Sequence, residues 1–297
     1  MIYNNIFNKI GNTPIVRINK LANGNNIFAK LEMFNPSGSI KDRIVFAMIS
    51  KMIEQHKIKD NTIFIEPTSG NTGISLAAIC SCLGYKATIV MPENCSDERK
   101  ALIRAYGANL ILTDSKYGMA GAIEKVHDLL QKNDNYISLD QFNNNINKKI
   151  HEETTANEIL QDTGGNIDFF VAGYGTGGTI AGIAKTLKNY NDNIKIIGIS
   201  PKTKLDNIPG LGANIVLPLL DNNTLDEIIL VSEKDAIYTK QKLATEEGIF
   251  AGISSGAAMY GSLDIASRKE NTGKNIITLF PDSGNRYVNY PRLKSWA

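Results

Sequence analysis

Residues 169–190 read Phe-Phe-Val-Ala-Gly-Tyr-Gly-Thr-Gly-Gly-Thr-Ile-Ala-Gly-Ile-Ala-Lys-Thr-Leu-Lys-Asn-Tyr, and this segment indicates the fold class. It starts with a short apolar run that is typical of a buried strand. A glycine-rich turn follows, and the remaining residues repeat their apolar side chains with helical spacing. A strand that passes through such a turn into a helix predicts an α/β fold with a mostly parallel sheet.

The same alternation extends over most of the chain. Helical patterns follow most of the other apolar runs, as expected for βαβ units. Between residues 133 and 149 the chain becomes polar and rich in asparagine, which predicts a crossing between two domains. Together with Phe169–Ala172, the predicted strands are Asn61–Glu66, Lys86–Met91, Asn109–Thr113, Lys195–Ser200 and Asn275–Phe280.

Length and composition exclude several classes of protein. The 297 residues suggest two domains or one large α/β unit, and 42% hydrophobic residues are enough for a buried core. The net charge is +2 and the basic residues are scattered, which argues against a nucleic-acid partner. No apolar stretch approaches the roughly 18 to 20 residues of a membrane helix, so we expect no membrane partner.

The cysteines indicate the compartment. Cys80, Cys82 and Cys95 are an odd number in a long chain, which argues against a disulfide framework and favours the reducing cytoplasm. The pair Cys80-x-Cys82 could suggest a metal site, but no further ligands follow at zinc spacing. We therefore expect the pair to pack in the core and predict no metal.

The glycine loop after the first quoted strand favours a phosphate ligand. It contains Gly173-x-Gly175-x-x-Gly178, the spacing of a dinucleotide-binding loop. The next strand, however, ends in Ser200 and Pro201 without the acidic residue that would hold a ribose. No Gly-Lys-Ser/Thr follows either, so a triphosphate loop does not fit. A phosphate without a nucleotide is the better interpretation, and glycines that merely turn the chain are the structural alternative.

A second junction, Glu66-Pro-Thr-Ser-Gly-Asn-Thr-Gly73, also leads from a strand into a helix. Its hydroxyls, amide and free backbone N–H groups can bind a carboxylate, because the start of a helix carries unpaired donors and a positive dipole end. We therefore predict an anion site here.

A third junction, Asn35-Pro-Ser-Gly-Ser-Ile-Lys-Asp-Arg43, places a lysine at the start of a helix. We expect Ser39 to cap this helix, with Asp42 completing a capping box. Lys41 then lies in the first turn, where the helix dipole and burial lower the pKa of an amine from about 10.4. Such an amine can form a Schiff base with an aldehyde. The alternative is a solvated surface lysine.

The motifs taken together resemble one family. In chain order they are Gly11-Asn-Thr-Pro14, Asn35–Arg43, Pro67-Thr-Ser-Gly-Asn-Thr-Gly73, Gly175-Thr-Gly-Gly-Thr179, Gly252-Ile-Ser-Ser-Gly-Ala257 and Pro281-Asp-Ser-Gly284. This set is similar to that of the O-acetylserine sulfhydrylases, or cysteine synthases, and their cystathionine β-synthase relatives. The resemblance covers nearly the whole chain. It implies a pyridoxal-phosphate enzyme of fold type II, the tryptophan-synthase-β-like fold.

The resemblance also implies the architecture. Two domains of three-layer α/β/α type would enclose the cofactor. Residues 35–145 would form a smaller mobile domain that carries the substrate-carboxylate loop. Residues 1–34 and 146–297 would form the larger domain that binds the cofactor phosphate.

Roles for individual residues follow from the same resemblance. Lys41 would bind the cofactor covalently and later move the Cα proton. Ser283 would meet the pyridine nitrogen, and a hydroxyl there leaves the ring neutral, whereas the neighbouring Asp282 would keep it protonated. The predicted phosphate cup is Gly175, Thr176, Gly177, Gly178 and Thr179. The predicted substrate-carboxylate residues are Thr68, Ser69, Asn71, Thr72 and Gln141, with Asn71 also meeting the ring hydroxyl of the cofactor.

The implied reaction is β-replacement at an activated L-serine, in which O-acetyl-L-serine and sulfide give L-cysteine. One alternative consumes cysteine and releases hydrogen sulfide, with water, a thiol or homocysteine completing the replacement. Another is a non-catalytic protein that binds the C-terminal peptide of a partner. The implied partners are a second copy of the chain and the C-terminal peptide of a serine acetyltransferase. The segment Pro201–Gly212 is shorter than in most family members, and the sequence leaves donor, nucleophile and direction open.

Overall fold

The computed structural model describes residues 2–212, 217–221 and 223–290. In this part of the chain, strands and helices alternate as the sequence predicts. The strands are β1 (Ile15–Ile18), β2 (Asn26–Leu31), β3 (Ile63–Pro67), β4 (Lys86–Pro92), β5 (Asn109–Thr113), β6 (Tyr136–Ser138), β7 (Phe169–Gly173), β8 (Lys195–Pro201), β9 (Glu227–Val231) and β10 (Asn275–Phe280). The helices are α1 (Lys41–Glu54), α2 (Asn71–Leu83), α3 (Asp97–Ala105), α4 (Gly118–Lys132), α5 (Ile146–Ile150), α6 (Ala156–Thr163), α7 (Gly178–Tyr190), α8 (Glu233–Glu247) and α9 (Ile253–Ser267).

The larger sheet has the strand order β1-β2-β10-β7-β8-β9 in the described part of the chain. Only the β1–β2 pair is antiparallel, and all the others are parallel. On one face α8 and α9 cover a core that includes Val171, Ile199 and Phe280. On the other face α6 and α7 cover a core that includes Phe170 and Ile196. This sheet is therefore the middle layer of an α/β/α sandwich.

The smaller sheet has the order β5-β4-β3-β6, and all its pairs are parallel. Helices α1, α2 and α3 bury one face, with Ile44, Phe64 and Ile89 in the core. Helix α4 buries the other face against Ile65 and Val90. The described chain therefore forms two α/β/α sandwiches of three layers each, which confirms the predicted fold class. The four strands of this sheet fall inside residues 35–145, but the exact domain boundaries remain a prediction.

All six predicted strands are present, and each ends within two residues of its prediction. The predicted packing of the cysteine pair is half right: Cys80 is buried in α2, whereas Cys82 is exposed. All three cysteines are free. No described helix has the length and apolar character that would let it cross a bilayer.

A buried group of charges fixes the start of α1, and the sequence did not indicate it. Arg43 donates from Nε to Glu32 Oε2 at 2.7 Å and binds Glu158 with both terminal nitrogens, at 2.6 and 2.7 Å. Lys30, on β2, is fully buried and pairs with Glu158 at 2.9 Å. Burial alone would raise the pKa of Glu158, but the two cations outweigh it and lower the pKa to about 2. This group joins β2, α1 and α6.

Candidate active site

One cavity lies where the two sheets meet, at the carboxyl ends of their strands, which is the usual place for a ligand in open parallel sheets. Lys41, from α1, and Asn71, from α2, enter it from the smaller sheet. The loop of residues 173–179 and residues 209–211, 254 and 281–282 line it from the larger sheet. The cavity therefore brings together parts of all three predicted junctions.

Lys41 is the first residue of α1 and lines this cavity, with only part of its side chain exposed. Burial lowers the pKa of Lys41 to about 8. About a tenth of the amine is therefore neutral at pH 7, far more than for an ordinary lysine, and the neutral form is the nucleophile. The position excludes the alternative of a solvated surface lysine.

The predicted capping box at this helix is wrong. The Ser39 hydroxyl accepts from the Lys41 N–H at 3.3 Å, but the Asp42 carboxylate makes no return contact to Ser39. The Asp42 carboxylate instead accepts hydrogen bonds from the Ser37 backbone N–H and from the Ser75 hydroxyl, both at 2.6 Å. Burial raises the pKa of Asp42, and the serine hydrogen bonds oppose that change. Asp42 thus ties the loop before Lys41 to α2 rather than capping α1.

The glycine loop has the geometry of an anion cup. It follows β7 and leads into α7, so that free backbone N–H groups and the positive end of the helix dipole face the cavity. Gly177 has φ +83°, which favours glycine, and a Cβ at Gly175 would lie 2.5 Å from the Gly210 carbonyl oxygen. At Gly178 a Cβ would collide with the Asn147 side chain. Glycine at these positions therefore lets the loop pack closely against Gly210 and Asn147.

The predicted substrate-carboxylate residues lie together beside the cavity. Asn71 lines the cavity, and the buried Thr72 hydroxyl donates to Gln141 Oε1 at 2.7 Å. Thr68 Oγ1 accepts from the Gly70 N–H at 3.2 Å, and the Ser69 carbonyl accepts from Arg99 at 3.0 Å. These contacts fix the conformation of the loop, and its role as a carboxylate site stays a prediction.

Asn147 links the segment of Gln141 to the glycine loop, and sequence reasoning missed it. Its side-chain N–H group donates to the Gln141 carbonyl at 2.8 Å and to the Thr176 hydroxyl at 3.0 Å. Asn147 is fully buried. Its place in an asparagine-rich segment hid this signal, because neighbouring asparagines such as Asn143 lie on the surface.

Asp282 is the charged group on the cavity wall of the larger sheet. Its Oδ2 accepts from Asn71 Nδ2 at 2.7 Å and from the Tyr287 hydroxyl at 2.6 Å. Arg286 contacts the other end of the Asn71 amide. Asp282 is 1% exposed, and its Oδ1 has no hydrogen-bond partner among the described residues. Oδ1 lies against Gly252, where a Cβ would collide with it, so the position of this carboxylate requires glycine at residue 252.

Two serines near the cavity have different surroundings. Ser283 does not line it, and its hydroxyl accepts from the Asn285 N–H at 3.2 Å, which caps the short helical turn Gly284–Tyr287. Ser254, in the first turn of α9, does line it. The predicted contact between Ser283 and the cofactor stays a prediction. The sequence signal for Ser254 was present in the motif Gly252–Ala257, but no role was assigned to it.

Glu66, at the end of β3, fixes the backbone around Gln141. It is 1% exposed and accepts from the Ser138 hydroxyl at 3.0 Å, the Leu139 N–H at 3.1 Å and the Gln141 N–H at 3.3 Å. Burial raises the pKa of Glu66 from 4.5 to about 7, although these hydrogen bonds alone would lower it. Glu66 is thus a buried carboxyl that titrates near neutral pH beside the predicted substrate site.

The titration of Glu66 predicts a pH-dependent stability. Between pH 4.5 and about 7 the unfolded carboxyl loses its proton while the folded one keeps it, so the free energy of unfolding falls as the pH rises. Over that pH interval we expect the free energy of unfolding of the wild type to fall by about 3 kcal/mol relative to that of Glu66→Gln. Urea unfolding of both proteins at several pH values measures this difference. A constant difference would contradict the assignment, and Glu124→Gln, at an exposed site on α4, is the control.

Comparison with known proteins defines the class. The chain belongs to the pyridoxal-phosphate-dependent enzymes, since the family described as "Pyridoxal-phosphate dependent enzyme" matches residues 6–282. A cysteine synthase of Staphylococcus aureus is 42% identical over 299 residues, which cover 97% of this chain and 96% of the relative. The fold and the cofactor that the sequence predicted are therefore confirmed.

Two solved structures extend the comparison. The structure of a cysteine synthase from Entamoeba histolytica superposes with a TM-score of 0.95 and 38% identity, covering 99% of this chain and 91% of that one. The structure of a hydrogen sulfide-producing enzyme from Fusobacterium nucleatum gives a TM-score of 0.92 and 41% identity, covering 97% and 100%. The predicted resemblance to the cysteine synthase family is thus confirmed over nearly the full chain.

Proposed function

We propose that this protein replaces the β-substituent of O-acetyl-L-serine with sulfide and so makes L-cysteine. The observation that carries the proposal is the shared cavity, in which Lys41, with a pKa of about 8, lies between a glycine cup for phosphate and a loop suited to a carboxylate. The similarity to cysteine synthases over 97% of the chain supports the choice of substrate.

The residues present fit pyridoxal phosphate. The loop Gly175–Thr179 would hold the phosphate. Lys41 would bond to the aldehyde carbon, and Asn71 would contact the ring hydroxyl. Ser283 would meet the pyridine nitrogen, as the resemblance implies, and Ser254, which lines the cavity, offers a second hydroxyl. When bound, the cofactor withdraws electrons from Cα of the amino acid, which eases loss of the Cα proton and of the β-substituent.

The chain's own groups supply the remaining steps. The Lys41 amine takes the proton from Cα of the substrate and can return it later, since its lowered pKa makes it a base near neutral pH. Asn71, Thr72 and the N–H groups at the start of α2 would bind the substrate carboxylate. Ile40, Leu211 and Leu279 line the cavity and would exclude water from the reacting carbon.

A second reaction is favoured by one comparison. The hydrogen sulfide-producing enzyme from Fusobacterium nucleatum is 41% identical to this chain over 97% of its length. We therefore propose cysteine as the competing substrate, with the same base and the same carboxylate loop, and with release of sulfide instead of its uptake.

The experiment that separates the two reactions uses the cofactor-loaded protein. One sample receives O-acetyl-L-serine and sulfide, and another receives L-cysteine alone, with products identified by mass spectrometry. Faster formation of cysteine from the first sample supports the proposal. Faster release of sulfide with serine or lanthionine from the second supports the alternative. A chain that binds both amino acids and changes neither would be a binding protein.

We also propose that two copies of the chain pair and that the protein acts in the cytoplasm. A groove of about 640 Å³ between α6 and the β1–β2 edge is lined by the partly exposed Ile15 and Phe28 beside polar groups, and it supports a contact between copies. The three free cysteines support a reducing compartment. The carboxylate loop would also accept the C-terminal peptide of a serine acetyltransferase. Sedimentation and peptide titration test these partners.

A further inference from the structure

His151 lies behind the glycine cup, and the proposed function gives it no role. It is fully buried, and its Nε2 lies 3.2 Å from the Thr179 hydroxyl, while its Nδ1 lies 2.8 Å from the Thr155 hydroxyl. Thr179 lines the cavity in the first turn of α7. The imidazole therefore connects a buried threonine to a threonine of the cup.

The local backbone is shaped to hold this ring against α7. Residues His151–Thr155 form a π-helical turn between α5 and α6, a rare geometry that often occurs at functional sites. In α7, a Cβ at Gly182 would collide with the Lys148 carbonyl and lie 2.9 Å from His151 Cβ. The missing side chain at Gly182 thus allows the close packing that brings the imidazole to Thr179.

The imidazole is neutral. Burial, together with the charges of Arg43 and Lys41, lowers the pKa of His151 well below 6.5, and the charge of Glu158 only partly opposes this. A neutral ring has one N–H donor and one acceptor nitrogen. The directions of both hydrogen bonds therefore depend on which nitrogen carries the proton.

The surroundings of Thr155 select the tautomer. Thr155 is fully buried, and within the described residues His151 Nδ1 is the partner of its hydroxyl, with no second acceptor nearby. If Nδ1 carried the proton, the Thr155 O–H would be buried without an acceptor, which is unfavourable. Thr155 therefore donates to Nδ1, and Nε2–H donates to Thr179. The Thr179 proton is then free to point into the cavity.

We propose that His151 is a positioning residue for the cofactor phosphate: its Nε2–H group turns the Thr179 hydroxyl so that this hydroxyl donates to a phosphate oxygen. The proposal rests on the cofactor site of the proposed function, whichever amino acid the enzyme uses. It predicts that His151 acts on cofactor binding through Thr179 and not through a contact of its own.

The first test measures the tautomer directly in the cofactor-loaded protein. The chain has three histidines, and His56 and His127 are exposed, so ring-nitrogen NMR of protein with labelled histidine resolves His151 and has two internal references. We expect His151 to carry its proton on Nε2 and to show no titration between about pH 6 and 8. A proton on Nδ1, or a titrating His151, would overturn the proposal.

The second test is a double-mutant cycle on cofactor affinity. His151→Leu and Thr179→Val should each weaken binding of pyridoxal phosphate about tenfold, as expected for one hydrogen bond to a charged group. The double variant should be no weaker than either single one, because both changes remove the same contact. His151→Gln, whose amide can replace the Nε2–H donor, should restore most of the affinity and the phosphorus NMR shift of the bound phosphate.

Additive losses in the cycle would show that His151 is merely structural and would refute the proposal. His127→Leu, at an exposed site on α4, is the matched control and should leave affinity unchanged. If the wild type binds the cofactor but the losses of affinity in the two single variants are additive, the proposed function still stands. Wild-type protein that does not bind the cofactor would refute both.

Discussion

Lys41→Ala is expected to lower the rate of β-replacement at least about a thousandfold, because it removes both the amine that binds the cofactor and the base that takes the Cα proton. The structure supports this expectation by placing Lys41 in the same cavity as the glycine cup and Asn71. Steady-state formation of cysteine, measured with added pyridoxal phosphate, gives the size of the loss.

The control for this variant lies on the same helix. Lys51 is on α1 and exposed, and its pair with Glu54 is a surface contact. Lys51→Ala should therefore leave the rate within about twofold of the wild type, since exposed ion pairs contribute little. A Lys41→Ala protein with more than a tenth of the wild-type rate would contradict the role assigned to the amine.

Stability provides a second measure of the same residue. Burial lowers the pKa of Lys41 from 10.5 to about 8, so the folded protein without cofactor is destabilised by the charged amine below pH 8. Between about pH 8 and 10.5 this cost disappears, because the folded amine is neutral while the unfolded one is still charged. Lys41→Met should therefore stabilise the cofactor-free protein most below pH 8.

Glu32→Ala is expected to lower the free energy of unfolding by about 3 to 5 kcal/mol, because it leaves part of the buried Arg43 guanidinium without its partner. Glu32 is fully buried and accepts from Arg43 Nε at 2.7 Å and Nη2 at 2.8 Å. It also accepts from the Thr13 hydroxyl at 2.6 Å and from Asn35 at 2.8 Å. One substitution therefore disturbs the N-terminal turn, the loop before Lys41 and α1 together.

Urea unfolding of the wild type and variant measures this effect. Glu54→Ala removes the exposed partner of Lys51 and should change the free energy of unfolding by less than about 1 kcal/mol. Glu32→Gln keeps the shape of the side chain and removes its charge. The free energy of unfolding that it loses should therefore lie between the losses of Glu54→Ala and Glu32→Ala. A loss below about 1 kcal/mol for Glu32→Ala would show that the buried charges do not fix the start of α1.

The sequence predicted six strands from local signals, but it missed β9, although this strand is also a short apolar run. The six predicted strands are continuous apolar runs, as buried parallel strands require. The missed strand β2 contains Lys30, whose buried amine pairs with Glu158 and Asp162, far away in the chain, and donates to the Thr13 carbonyl. The missed β1 lies at the edge of the sheet and carries the exposed Arg17. The missed β6 has only three residues, in the asparagine-rich segment.

In the candidate site, too, local motifs were predictable and contacts between distant residues were not. The three junctions were visible because glycine, hydroxyl residues and one lysine follow predicted strands or precede a predicted helix. The contact of Asn71 with Asp282 joins residues 211 positions apart, and that of Arg43 with Glu158 joins residues 115 apart. Neither contact can be predicted from the spacing of residues along the sequence. Ser254 was missed because the motif Gly252–Ala257 holds two adjacent serines, 254 and 255, and only the fold shows which one lines the cavity.

The most direct test of the account is the position of the covalent bond to the cofactor. The cofactor-loaded protein is reduced with borohydride, digested and mapped by mass spectrometry. We predict that the added pyridoxyl mass lies on Lys41, and that amino-acid substrate given before reduction protects this residue. A pyridoxyl group on another lysine, or on none, would contradict the central claim that Lys41 is the residue that binds the cofactor.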